Sequence, residues 1–135
     1  MRHPATLVRA ALIGLALAGV ACSGGGTAVH AILKDDSITI DPDSTAAGTI
    51  SFDIRNDGTM THEFEIFRTD LAPDSLPTDG DVVDDEGFRA VDEVEDIAPA
   101  TSAQLNVDLS PGSYVMICNL PGHYAKGMHS GFTVT

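Results

Sequence analysis

"LSPGSYVMICNLPGHYAKGMHSGFTV", residues 109–134, decides how the rest of the chain is read. It opens on the turn residues Ser110, Pro111 and Gly112. Tyr114, Met116 and Cys118 then fall on one face of an extended segment, and Phe132 and Val134 repeat that spacing at the far end. Between the two segments lies a loop in which Cys118, His123 and Met128 are each separated by four residues. A strand, a loop bearing thiol, imidazole and thioether, and a closing strand predict a β domain with a site at one end.

Upstream the period of two continues. Ile38 and Ile40 alternate with polar residues, as do Ile50, Phe52 and Ile54, then His62, Phe64 and Ile66, then Ala103, Leu105, Val107 and Leu109. Turn residues separate these runs, "DPD" at 41–43 and "NDG" at 56–58 among them. Short alternating strands of this kind predict an all-β antiparallel sandwich or barrel. The stretch 69–101 breaks the pattern with eleven Asp and Glu and few large apolar side chains. It is expected to be a solvated acidic loop insertion, with a short helix around residues 87–94. Its "DGDVVDDEG" does not match the spacing of an EF-hand calcium loop.

The chain of 135 residues starts differently. Arg2 and Arg9 precede a twelve-residue apolar run at 10–21, too short to span a bilayer and suited to a signal peptide. "LAGVAC" at 17–22 resembles a bacterial lipobox, with Gly19 where a branched aliphatic is usual, and would make Cys22 a lipidated N-terminus. Ordinary cleavage of a soluble exported protein is the alternative. Residues 22–28 are expected to be a glycine-rich tether and 29–135 the domain. The expected location is the periplasm or the outer face of the cytoplasmic membrane.

Without residues 1–21, five Lys and Arg face twenty Asp and Glu, a net of −15. Nucleic acid would repel such a chain, whereas a cationic partner would be attracted; solubility alone or a high-salt habitat would also account for the charge. Export implies an oxidising compartment, where a thiol pairs unless it has another use. A Cys22–Cys118 bridge is one such use. With Cys22 lipidated, Cys118 would be a chance thiol, half of an intermolecular bridge, or a metal ligand.

A mononuclear copper site for electron transfer takes two imidazoles and a thiolate, often with a weak thioether on the axis. Cys118, His123 and Met128 supply three of these from one loop, and His62 is the suitable fourth, at the head of a strand whose Phe64 and Ile66 point the same way. Each has a plainer use: His62 and His30 as surface residues, Met128 and Cys118 as core filler. His129 adjoins Met128 and is expected to point away.

"NDGTMTHEFEIF" at 56–67 together with residues 109–134 resembles the cupredoxin, or blue copper, family. The C-x4-H-x4-M spacing is nearer the rusticyanin and sulfocyanin kind than the shorter plastocyanin loop. The resemblance implies a Greek-key β-sandwich, His62, Cys118 and His123 as equatorial ligands and Met128 as the axial one. It also implies a single copper ion cycling between Cu(I) and Cu(II), and one-electron transport without enzymatic turnover. The port would lie at the edge of His123, with Pro121, Gly122, Tyr124, Ala125 and Met60 around it. Many family members carry Asn after the first His ligand. Here that residue is Glu63, which would either meet Asn119 or point to solvent. A carrier delivering copper to another protein is the rival function. A metal-free adhesive or structural domain is the third.

Overall fold

A computed structural model describes residues 26–87 and 89–135. The expected signal segment and lipidated Cys22 lie outside them. Eleven strands follow in order: β1 (Thr27–Lys34), β2 (Ser37–Asp41), β3 (Ser44–Thr45), β4 (Gly48–Asn56), β5 (His62–Arg68), β6 (Thr78–Asp79), β7 (Val82–Val83), β8 (Ala90–Ile97), β9 (Ser102–Leu109), β10 (Gly112–Ile117) and β11 (His129–Val134). β1 begins inside the segment expected as a tether. Among the described residues no helix is long and apolar enough to cross a membrane.

Two sheets make the sandwich. One has the order β2-β1-β4-β9 and the other β3-β11-β10-β5-β8. The alternation read from the sequence is the alternation of burial. In β4, Ile50, Phe52 and Ile54 face inwards and Arg55 faces water. Phe52 sits between the sheets with its ring centroid 5.6 Å from Phe64 and 5.5 Å from Phe132. Each such buried side chain contributes roughly 1.5–3 kcal/mol through removal from water.

The sheets are mixed, which corrects the expectation of purely antiparallel pairing. β1 runs parallel to β4, and β11 parallel to β3. After β2 the chain crosses to the second sheet as β3, then returns as β4 in the direction of β1. Parallel neighbours require such a crossover, and period-two alternation cannot reveal one.

Residues 69–101 hold further corrections. Among the described residues of 87–94 there is no helix; Ala90–Ile97 is the edge strand β8, paired with β5. Carboxylates line it because an edge strand with an exposed face needs little apolar surface. The expected solvated loop is in fact packed on one side. Leu76 and Val83 are buried against Phe67, Val115, Ile117 and Tyr124, a second small core on the outer face of the second sheet. "DGDVV" forms the β6–β7 hairpin, with Gly80 at φ 62°.

Candidate metal centre

β10 carries Tyr114 and Met116 inwards, and the chain continues that face to Cys118, which is fully buried. His62, the first residue of β5, is also fully buried. His123 is 8% exposed, so only an edge of its ring reaches the surface. Cys118 Sγ lies 3.4 Å from His123 Nδ1 and 3.9 Å from His62 Nδ1. The two Nδ1 atoms are 3.2 Å apart. The ligating atoms of all three residues lie within 4.8 Å of one another. Met128 is fully buried in the same core as Cys118.

The loop is shaped by its own backbone. Cys118 donates its N–H to Met128 O at 3.1 Å, and Met128 donates to His123 O at 3.2 Å. Tyr124–Lys126 forms one turn of 3₁₀ helix, ended by Gly127 at φ 115°. A left-handed residue there turns Met128 back toward Cys118. Glu63 donates its N–H to Cys118 Sγ at 3.4 Å, which fixes the sulfur against the strand that carries His62.

Segments outside the loop hold it as well. Asn119 Oδ1 accepts the N–H of Val83 at 2.7 Å, and its Nδ2 donates to Val83 O at 3.3 Å. Gly122 donates to Asp81 O at 2.8 Å. The Tyr124 hydroxyl accepts from Leu76 N–H and donates to Pro73 O. On the other wall, Asn56 is fully buried and donates to Met60 O and Ile97 O, both at 2.8 Å, while accepting from Gly58 N–H. That network sets the turn that delivers His62. Asp35, between β1 and β2, places Oδ1 3.0 Å from His62 Nε2.

The electrostatics suit neutral nitrogen donors and a cation. Burial, with His62 and Lys126 nearby, pulls His123 below the usual imidazole range. Burial pushes the Cys118 thiol up, while backbone N–H groups of Glu63 and Leu120 oppose that. A bound cation is what draws off such a proton. Asp35 is held down at about 2, chiefly by the hydroxyl and N–H of Thr59. Two buried imidazoles and a buried thiol fit a soft or borderline ion such as copper, and Met128 is buried in the same core with its backbone bonded to Cys118 and His123.

The four side chains read from sequence thus share one end of the sandwich. The neighbours are less as expected. Asn119 turns its amide to Val83, so it reaches Glu63 only through its backbone N–H, and burial pushes the Glu63 carboxyl up against that bond. Tyr124 is buried and bonded to residues 73 and 76, which removes it from the proposed surface patch; Pro121, Ala125 and Met60 are exposed. His129 lies outside the cluster, its ring 5.2 Å from that of Tyr124. His30 is exposed, 3.8 Å from Asp53. Asp35, Asn56 and Gly58 were not singled out from the sequence. "NDG" marked a turn, but nothing marked the acidic turn at 35 as a partner of a buried imidazole.

The fold is that of known blue copper proteins. Reduced auracyanin from Roseiflexus castenholzii superimposes with a TM-score of 0.58 at 22% identity, covering 83% of this chain and 99% of that one. Rusticyanin from Thiobacillus ferrooxidans gives 0.58 at 19% identity, covering 82% and 79%. Auracyanin A from Chloroflexus aurantiacus, described as a "blue" copper protein, gives 0.57 at 16%, covering 82% and 100%. No curated protein matches the chain. The Sulfocyanin (SoxE) domain model matches residues 38–135, which include every residue of the cluster. The chain belongs to the sulfocyanin family of the cupredoxins.

Proposed function

We propose that this protein is an exported blue copper protein that carries single electrons between redox partners, with His62, Cys118, His123 and Met128 as the copper ligands. The observation that carries this is the set of three donor atoms within 4.8 Å of one another, buried at one end of the sandwich and brought together from the head of β5 and the loop after β10. Copper, when bound there, supplies a one-electron couple. The residues do the rest. Cys118 and His62 exclude water by full burial, and the Glu63 N–H holds the sulfur in place. The braced loop keeps the donor set from rearranging as charge changes, which keeps electron transfer fast. His123, with its exposed edge, offers the route to the surface between Pro121, Ala125 and Met60.

Support for export comes from the basic and apolar start at residues 2–21. The acid excess supports a partner with a basic surface, such as a cytochrome or oxidase, with rates that fall as salt rises. Adding Cu(II) to the purified protein tests the reading. Intense thiolate-to-copper absorption in the visible, lost in Cys118→Ser, is expected. Tight uptake without that band favours a copper carrier instead, and no uptake removes both.

A further inference from the structure

We propose that Asp35 is a positioning residue of the metal centre, a carboxylate that fixes the ring and tautomer of His62 from behind, and that Gly58 keeps the space for that contact. This rests on the copper assignment above. Asp35 Oδ1 is 3.0 Å from His62 Nε2, on the side of the ring away from the other donors. An acceptor-only carboxylate makes Nε2 the protonated nitrogen. Nδ1 then keeps its lone pair, and Nδ1 is the atom that faces Cys118 Sγ and His123 Nδ1.

The carboxylate is itself pinned. It accepts the N–H of Thr59 at 2.8 and 3.1 Å, the Thr59 hydroxyl at 2.7 Å and the Met60 N–H at 3.2 Å. These donors belong to the turn that delivers His62, so one side chain sets both the turn and the ring. Gly58 explains how the contact fits. A Cβ at that position would overlap Asp35 Oδ1 and stand 2.7 Å from His62 Nε2. Any other residue there would wedge the pair apart. A carboxylate that accepts the outer proton of a ligating imidazole raises the basicity of its inner nitrogen and favours the more highly charged metal.

Nitrogen-15 NMR of the metal-free full chain reads the tautomer without copper. His62 is expected to be protonated at Nε2, with that preference lost in Asp35→Ala and in Gly58→Ala. Copper titrations and redox potentiometry follow. Asp35→Ala should weaken Cu(II) binding ten- to a hundredfold, as loss of such a partner typically does, and Cu(I) binding less. Each tenfold excess of Cu(II) loss over Cu(I) loss raises the potential by about 59 mV. Asp35→Asn keeps an oxygen for His62 but not the charge, and should fall between. It also serves if Asp35→Ala fails to fold.

Asp36→Asn removes the same formal charge from an exposed neighbour and should change nothing. Nδ1 protonation of His62 in the unaltered chain overturns the assignment. So does an unshifted tautomer in the variants, or a potential raised as much by Asp36→Asn as by Asp35→Asn. If the unaltered chain takes up no copper, the function proposed above fails, while the NMR result still decides the role of Asp35.

Discussion

Replacing Glu65 with glutamine should stabilise the metal-free protein in alkali and leave it almost unchanged in acid. Glu65 lies on the outer face of β5, is 8% exposed, and stands directly opposite Glu93 of β8. Burial pushes its carboxyl from 4.5 up to about 8, and repulsion from Glu63 and Glu93 adds to that. The folded state therefore holds the proton more tightly than the unfolded chain. The resulting stabilisation is fully present below pH 4.5, is lost as pH rises through about 8, and stays lost above. At about 1.4 kcal/mol per pH unit the ceiling is about 5 kcal/mol. Solvent around the neighbouring carboxylates screens much of it, so about 2 kcal/mol is expected. Glutamine mimics the protonated acid at every pH. Urea unfolding of both proteins should therefore give matching midpoints below pH 4.5 and a higher midpoint for Glu65→Gln above pH 8. An advantage of equal size in acid and alkali would refute the burial argument. A disadvantage in alkali would refute it more severely.

Two further outcomes concern the loop. Tyr124→Phe removes one donor and one acceptor that hold residues 73 and 76, and should cost about 1–3 kcal/mol with faster amide exchange at Leu76. Gly127→Ala forces a side chain into a left-handed residue at φ 115° and brings its Cβ 2.7 Å from Asp36 O. It should cost about 1–3 kcal/mol in thermal denaturation and broaden the visible copper band, because Met128 follows directly.

The sandwich and the loop that carries Cys118, His123 and Met128 were legible in the sequence because both rest on local regularities. Alternation at Ile50, Phe52 and Ile54 reports one buried face, and even spacing places Cys118, His123 and Met128 on one loop. The parallel pairing of β1 with β4 was not legible, since alternation says which face is buried and not which strand lies alongside. β8 read as a helix because its carboxylates hid the period on an edge with few apolar residues. Asp35 was invisible for a related reason. An acidic residue in a tight turn is ordinary, and its meaning comes from His62, 27 residues away in sequence and 3.0 Å away in space.

The segment at residues 69–101 combines two roles that its composition made look like one. Most of its acidic side chains are exposed to water. Its apolar ones, Leu76 and Val83, lie against the sandwich, and from there its backbone reaches Asn119, Gly122 and Tyr124 of the metal loop. The centre therefore has two braced walls, and the segment reaches both, through Ile97 O on Asn56 and through Val83 on Asn119. His62 is held by Asp35 and the Asn56 turn, and the loop with Cys118, His123 and Met128 is held by the acidic segment. The Glu63 N–H joins the sulfur to the opposite wall, and His62 Nδ1 stands 3.9 Å from it. Loosening either wall should then disturb the donor set without unfolding the core, since Phe52, Phe64 and Phe132 pack independently of both braces.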